Sequence, residues 1–568
     1  MLRRLLTAGL AAGVLAGPAA AQAGPQILMP GVTYEQRIDL TLHGPVRTHV
    51  ITAPKPGGLY QLAPTLARGS LQTGERLISI ERRLTSTATV AGINGDSSTK
   101  DGRPDGIVLQ GGVLQSPPDA DRSTLGIDAA QSLLVQQIGL TADWRGTGPL
   151  RRLKGLNRPP LPGWTTLYTP AWGAATPPSR DTVEAVLSPF PSASPNADLL
   201  GQVTKIAGGG GHSIPPGGAV LAARGSSRER LNTEAPAGTQ VTIRLLIPPV
   251  FAGAVDGIGG GPQLVENGRP VFHSFEDFDT SWLAPRMART AVGQRADGGV
   301  VLVAADGGRP GYSVGVTNFE LAQTMVRLGA VTAMALDGGN ATTMAFDGNL
   351  LNRPAHSQAR IPDALLLLYY GVQAPPPAEA VVSPNGDGVG EQQTLAYKLV
   401  RPSTVDATLT APDGSIRVLD SAARASGLYN VTWTGLGSGG QLEPEGRWVW
   451  TVDATDDLGR SSEATRDFSL NTTLAHLTAL PATMSARTGS VEISLDLLHP
   501  ADLTVQVETD KGAVLRVLRD RAQGPGHFQL RWRGRLKGKA APPGRYAIRA
   551  IAVNDLGRME LTSPLRLR

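Results

Sequence analysis

The 568 residues contain no cysteine, which excludes a disulfide framework, a lipid-modified cysteine and any thiolate zinc site. Charge of one sign is also scarce. Lys+Arg 53 against Asp+Glu 48 leaves +5, and aromatics make up only 5% of the chain. With no long basic run interleaved with aromatics, the sequence offers no charge-driven route to nucleic acid. Long apolar runs are missing too. The segment 5–15 that follows Arg3-Arg4 falls short of the roughly 20 residues a membrane span needs, and Ala21-Gln22-Ala23 supplies a small-x-small cleavage pattern. Residues 1–23 therefore read as a secretory signal, and the mature chain as secreted, periplasmic or otherwise in the cell envelope, without a transmembrane anchor.

What the chain has in abundance is Gly 69 and Pro 44, a composition that favours sheets joined by turns. At roughly 150 residues per domain the length predicts three or four units. Short alternating segments such as Thr48-His49-Val50-Ile51 and Leu77-Ile78-Ser79-Ile80 read as strands. From about 150 to 228, Pro159, Pro160, Pro162, Pro170, Pro177, Pro178 and the run 208–211 interrupt any period, which predicts a long surface insertion. His212, alone beside glycines, reads as a loop residue. Residues 241–247 predict a strand, and 365–369 a last apolar one. Ala374-Pro375-Pro376-Pro377 then marks a stiff linker over 372–380. Beyond it the chain repeats: Gly427-Leu428-Tyr429-Asn430-Val431-Thr432-Trp433 matches Gly526-His527-Phe528-Gln529-Leu530-Arg531-Trp532, and Asp457-Leu458-Gly459-Arg460 matches Asp555-Leu556-Gly557-Arg558. About 100 residues per copy, rich in short strands and turns, fit two β-sandwiches over 381–470 and 474–568.

The chemistry is expected around 316–344. Thr317 and Glu320 form a T-x-x-E capping box, Leu321, Met325 and Leu328 recur at helical spacing, and Gly329 supplies a left-handed stop. The apolar runs 299–305 and 331–336 flank this helix, and each ends in an acid followed by two glycines, Asp306-Gly307-Gly308 and Asp337-Gly338-Gly339. If the two strands are parallel, a right-handed crossover puts both acids on one sheet edge, where open sheets bind ligands.

Other candidates carry two readings each. Asn94-Gly95-Asp96 is either a turn or a pair of hydroxyl-binding groups, Asn94 and Asp96, in a sugar site. In the run from Asp256 through Gly259, Gly260 and Gly261 to Pro262, the glycine density allows amides to turn inward as an anion-binding concavity. It is not a dinucleotide fingerprint, because Pro262 stands where the third glycine belongs. Arg289, followed by Thr290, is either a surface cation or a fixed positive charge for an anionic substrate. Glu320 is explained by its cap and is weighed as catalytic only beside that reading. Asn385, Asp387 and Glu391 lie in a loop that reads as a turn or as a calcium site with an incomplete ligand pattern.

Taken in order, Ile93-Asn94-Gly95, the stretch 256–264 opening with Asp256-Gly257-Ile258, Arg289-Thr290-Ala291-Val292-Gly293, Glu320-Leu321-Ala322 and Leu336-Asp337-Gly338-Gly339 resemble the phosphodiester glycosidase family. The resemblance covers roughly residues 31–371. It implies an α+β fold, a mixed-sheet domain over 24–371 followed by the two all-β sandwiches, which resemble the immunoglobulin-like domains of flagellar hook-capping proteins. It also implies an exported hydrolase that cleaves the glycosidic bond of sugar-1-phosphodiesters in glycans or envelope polymers and needs no cofactor. Asp337, Asp306 and Glu320 would be its catalytic candidates. Asn94, Asp96, Asp256, Gly259, Gly260, Gly261, Arg289, Thr290, Gly338, Gly339 and Asn340 would contact substrate. The chain departs from the family at Asn340-Ala341, where a glycine and serine are usual. Two other readings stay open: a metal-assisted phosphodiesterase using Asp306, Asp337 and Asn94 as oxygen ligands, and a non-catalytic protein that binds envelope polysaccharide.

Overall fold

The computed structural model describes residues 24–568; the export signal read in residues 1–23 lies outside them. Strands account for 51% of the chain and helices for 7%, so the protein is mostly β where α+β was expected. Among the described residues no helix is long and apolar enough to cross a membrane.

Three sheets build the unit that carries the chemistry. The largest has eight strands and is antiparallel throughout. Its centre runs from Gly44–Ala53 through Val300–Ala305 and Arg289–Arg295 to Ala330–Leu336. Alternation sorts its residues. Val292, Leu302, Met334 and Leu336 point into a core shared with Ile93, Leu125, Ile258 and Leu365 of the other two sheets. Ala291, Val301, Val303, Ala333 and Ala335 point outward, under the helix Asn318–Arg327 through Leu321, Ala322 and Met325. Small residues on that face let the helix sit close. The helix begins as its sequence predicts: both capping-box bonds between Thr317 and Glu320 are made, and Gly329 follows at φ +87°.

One segment departs from its sequence reading. Leu77–Leu84 is a helix and not a strand. Leu77 and Ile80 are buried, and Leu84 packs beside them one turn further on, against Val90 of the strand Thr89–Asn94. The spacing of three and four residues, and not the short alternating stretch, decides it.

The insertion is also more ordered than its prolines suggest. Residues 141–246 form a second eight-stranded sheet with its own core around Trp144, Leu187, Leu199, Leu221 and Ile243. Pro159, Pro160, Pro162, Pro170, Pro177 and Pro178 all fall between strands, and the strands themselves, such as Thr182–Leu187 and Ala219–Arg224, are continuous.

The repeats at 381–470 and 474–568 each fold as a five-stranded and a smaller sheet, with a further two-stranded ribbon in the second copy, around a core that buries Trp433 and Trp448 in the first copy and Trp532 and Tyr546 in the second. The register repeats as well: Gly427–Trp433 pairs with Gln393–Leu399, and Gly526–Trp532 with Val491–Leu497. The proline-rich linker is packed, with Val372 and Ala374 buried in the first sandwich. Lys398 of that sandwich is held 2.8 Å from both oxygens of Asp347 in the preceding unit.

Candidate active site

Strand direction assembles one sheet edge. Val300–Ala305 and Ala330–Leu336 both pair antiparallel with Arg289–Arg295, so they run the same way although not neighbours, with Arg289 opposite Ala305 and Thr290 opposite Leu336. Asp306, Arg289, Thr290 and Asp337 therefore share an edge. Asn94, at the end of Thr89–Asn94 in the adjoining sheet, clasps it. Its Oδ1 accepts from Thr290 Oγ1 at 2.8 Å and from the Thr343 amide at 3.0 Å, and its Nδ2 donates to the Asp337 carbonyl at 2.8 Å. Asn94 and Thr290, both buried, are thus spent on each other and on the backbone that presents Asp337.

Asp337 is the carboxylate left open to chemistry. It keeps some solvent contact, and among the described residues its Oδ1 accepts only the adjacent Gly338 amide at 2.9 Å. Burial, and then the negative charge of Asp96, push its pKa up to about 7, against the pull of the Gly338 amide and Arg122. Asp96 itself is fully enclosed. It accepts from the Ser97 and Gly106 amides at 2.8 and 2.7 Å and from Arg122 Nη2 at 2.9 Å. A Cβ on Gly259 would lie 2.3 Å from Asp96 Oδ2, and one on Gly106 2.9 Å from it. Glycine at those positions makes room for the buried acid.

Beneath Asp96 lies a third carboxyl, Asp363, at the start of the strand Asp363–Tyr369. Its Oδ1 accepts the Asp96 amide at 2.8 Å, while its buried Oδ2 has no partner among the described residues. Burial and the charge of Asp96 hold it well above the usual carboxylate range. Arg122 is the cation of this group. It also stands 3.8 Å from Asp105 and lies over the ring of Phe278 at 5.3 Å. Asp363, Arg122 and Asp105 escaped the sequence reading. Their one signal was an acid immediately before an apolar run, Asp363 ahead of 364–369.

Beside Thr290 on the same edge is Arg289, 2% exposed. Its Nε donates to Val316 O at 3.3 Å, and its Nη2 to the carbonyls of Trp282, Leu283 and Pro285 at 2.5, 3.4 and 3.2 Å. Among the described residues no carboxylate pairs with it, and burial lowers its pKa to about 10. The Trp282 ring lies 5.6 Å from the guanidinium and within 3.6 Å of where a Gly338 Cβ would stand. The segment 276–285 therefore runs past Asp337 with Phe278 on Arg122 and Trp282 on Arg289. Gly339 donates to Ala288 O at 2.7 Å, and Asn340 is exposed.

The remaining candidates lie elsewhere or are occupied. The amides of Gly259, Gly260 and Gly261 donate to the carbonyls of Ile107, Ser123 and Ala335 at 2.9, 3.2 and 2.8 Å. They are not the open donors that the glycine density predicts; the glycines serve close approach, as where a Gly260 Cβ would meet Ala335 O at 2.7 Å. Asp256 accepts the Gly111 amide at 2.9 Å, at the other end of its strand. Asp306, 1% exposed, accepts from His49 Nε2 at 3.0 Å, Tyr312 Oη at 3.1 Å, Asn352 Nδ2 at 2.9 Å and the Arg353 amide at 3.2 Å. Glu320 is committed to its cap and to an ion pair with Arg286, beside a different cavity that also takes in Arg37 and Arg327.

Of the oxygens considered as metal ligands, those of Asn94 and Asp306 accept hydrogen bonds from the protein. Among the described residues no group of three His, Asp or Glu is placed to hold a metal ion. In the loop 385–391, Glu391 accepts the amides of Gly386 and Gly388, Asp387 those of Val389 and His476, and Asn385 that of Asp387.

Comparison with known proteins matches part of the chain to a family. The family model described as phosphodiester glycosidase matches residues 196–368, a stretch that holds Arg289, Asp337 and Asp363. A hypothetical protein from Synechocystis superposes with a TM-score of 0.50 at 26% identity, over 60% of this chain and 62% of that one. The catalytic domain of zebrafish N-acetylglucosamine-1-phosphodiester alpha-N-acetylglucosaminidase aligns at 14% identity and a TM-score of 0.33, over 62% of this chain and 86% of that one. Among curated sequences, the SPbeta prophage-derived protein YomE of Bacillus subtilis (strain 168) is 30% identical over 123 residues, 21% of this chain and 18% of its own length. The chain thus spans less than two thirds of either the Synechocystis protein or the curated relative, and its likeness to a phosphodiester glycosidase is concentrated in the half of the first unit that carries Asp337.

Proposed function

We propose that this chain is a hydrolase that cleaves the glycosidic bond of a sugar-1-phosphodiester, releasing the free sugar and a phosphomonoester. The observation that carries this reading is a carboxylate of raised pKa, Asp337, set on one strand-end edge with a buried guanidinium, Arg289, that has no acidic partner among the described residues. An ordinary glycosidase must protonate its leaving group. A phosphomonoester departs as a stabilised anion, so the demand shifts from a proton donor to fixed positive charge, which is worth most where water is excluded. Arg289 supplies that charge. Trp282, lying on Arg289 and beside Gly338, offers a flat apolar face for a sugar ring over the carboxylate. Once ionised, Asp337 activates water or stabilises the electron-poor anomeric carbon.

Asp96, Asp363 and Arg122 act through Asp337 in this scheme: they position its loop and set its charge. Asp306 is a packing group. The Arg3-Arg4 segment and its cleavage pattern support export to the periplasm, envelope or medium. The two C-terminal sandwiches, read as immunoglobulin-like modules, would hold the hydrolase against envelope polysaccharide.

The test is to incubate the mature protein and its Asp337→Asn variant with a sugar-1-phospho-6-sugar diester and to assay both products. Equimolar free sugar and phosphomonoester from the wild type, and neither from a folded variant, are expected. Full activity in the variant would remove Asp337 from the mechanism.

A further inference from the structure

The near balance of charge over the whole chain conceals a contrast between its two C-terminal repeats. Residues 381–470 hold 7 Lys and Arg against 12 Asp and Glu, a net −5, whereas 474–568 hold 15 against 8, a net +7. We propose that one flank of the second sandwich docks on an anionic lipid surface, with its cations on headgroup phosphates and its exposed aliphatic side chains in the interface. The inference goes beyond the glycosidase reading and does not depend on it, and it leaves the rest of the sandwich pair free for polysaccharide.

The repeat supplies its own control. In each copy the last strand of the five-stranded sheet, Ile416–Arg424 or Val514–Gln523, pairs along one side only. Residues opposite each other in such a pair share a face. In the first copy Arg417, Asp420 and Ala422 stand opposite buried Leu409, Ala407 and Val405. In the second, Arg516, Arg519 and Arg521 stand opposite buried Val507, Val505 and Leu503. The first copy neutralises its cations: Arg417 pairs with Glu443 at 2.9 Å and Arg424 with Asp420 at 2.6 Å. The second has an arginine in the place of Asp420, and its following loop is changed the same way. Residues 434–443, after Trp433, carry one acid and no cation, while 533–541, after Trp532, carry Arg533, Arg535, Lys537 and Lys539 and no acid. Arg516 Nη1 donates to the Arg535 carbonyl at 3.0 Å, which holds loop and strand side by side. Among the described residues none of these seven cations pairs with an acid; the ion-paired arginines of this copy are Arg549 and Arg558.

Apolar exposure favours a lipid surface over a soluble polyanion. Val514 and Val517 lie on the outer face of the same edge strand, and Leu515 sits at a bulge beside Val514; all three are exposed. Asp520, the one acid of the strand, shares that outer face and accepts from Thr504 Oγ1 at 2.8 Å. A plane laid against the free edge therefore meets cations and aliphatic groups together, as an amphipathic element meets the boundary between headgroups and acyl chains. A hydroxyl-rich polymer gives valine nothing to bury against. The first copy also exposes Ile416 and Val418 on its edge strand, but its neutralised cations give it no attraction to the bilayer. Each basic side chain beside an anionic bilayer is worth about fivefold in partitioning, and the guanidinium fork matches phosphate oxygens. Arg519 is held ready over the Phe528 ring, 5.0 Å from its centre.

The experiment sediments the mature protein with vesicles of phosphatidylcholine alone and of phosphatidylcholine mixed equally with phosphatidylglycerol, and separately measures binding to polygalacturonate, a soluble anionic polysaccharide. The expected result is binding to the mixed vesicles and not to the neutral ones, weakening as salt rises. Combining Arg533→Gln, Lys537→Gln and Lys539→Gln, all at exposed loop positions, should weaken it about a hundredfold, the fivefold step taken three times. Val514→Ser with Val517→Ser should weaken vesicle binding severalfold and leave any binding of polygalacturonate as it was. Equal binding to neutral vesicles, no binding to either kind, or full binding by the loop variant would overturn the proposal. So would unchanged vesicle affinity in the double valine variant. Capture of polygalacturonate without vesicles would overturn it as well, and would assign the flank to a polyanion. None of these outcomes depends on whether a diester is cleaved.

Discussion

Asp306 and Asp337 are the same motif twice. Each ends an apolar strand, precedes two glycines and lies on the same sheet edge, yet the protein treats them oppositely. Asp306 takes hydrogen bonds from His49, Tyr312, Asn352 and the Arg353 backbone and has no capacity left for substrate. Asp337 takes one, from its neighbour Gly338, and is pushed toward neutrality by burial and by Asp96. The first acid is saturated with hydrogen bonds and serves the fold. The second is destabilised as an ion and is available to a reaction. What separates them is supplied by residues far away in sequence.

The contrast is broken most sharply by exchanging each acid for its amide. Asp337→Asn should lower kcat/KM by at least about a thousandfold while raising stability above pH 7. The sign follows from linkage: a folded pKa of about 7 against an ordinary 3.8 means that ionisation costs folding energy, absent below about pH 4, growing through the window and complete above pH 7. That cost is on the order of 2–4 kcal/mol, reduced by the solvent Asp337 still meets. Asp306→Asn should do the reverse, losing about 3 kcal/mol or more because buried donors face an amide, with turnover per folded molecule largely retained. Thermal melts at pH 5 and pH 8 beside kinetics would separate the two. Equal behaviour would dissolve the distinction.

Next in size is Arg289→Ala, expected to cost about a hundredfold to a thousandfold on an anionic diester, in the range for removing one fixed electrostatic donor, and clearly less on an uncharged aryl glycoside. An equal loss on both would assign Arg289 to holding the 282–285 carbonyls alone. Smaller is the effect of Asp96→Asn on pH dependence. Wild-type kcat/KM should rise with pH to a plateau above about 7, and removal of the neighbouring negative charge should move the inflection down. An unmoved inflection would mean that burial alone sets it. Smallest is Glu320→Gln, which weakens a capping box and one partly exposed ion pair. About 0.5–1 kcal/mol of stability should go, with kcat/KM unchanged.

Much of the edge was legible in sequence because it rests on local rules. The Thr317–Glu320 box, the Gly329 stop and the two strand ends are set by residues within one turn or one strand of each other. Their common direction also held, although a third strand, Arg289–Arg295, lies between the two and makes the sheet antiparallel. What was not legible depends on partners distant in the chain. The glycines at 259–261 looked like an anion cradle because sequence shows that amides can turn inward but not that carbonyls of Ile107, Ser123 and Ala335 await them. Asp363 sits more than 260 residues from Asp96, whose amide it accepts. The insertion was read as loop because its prolines were counted over the whole stretch, when they mark the gaps between strands.

The most direct test of the central claim is to run the diester cleavage in oxygen-18 water and to locate the label by mass spectrometry. Attack at the anomeric carbon, as Asp337 and Arg289 are arranged to promote, puts the label on the hydroxyl of the released sugar and leaves the phosphomonoester unlabelled. Label on the phosphate would mean that the P–O bond breaks, and would contradict the account.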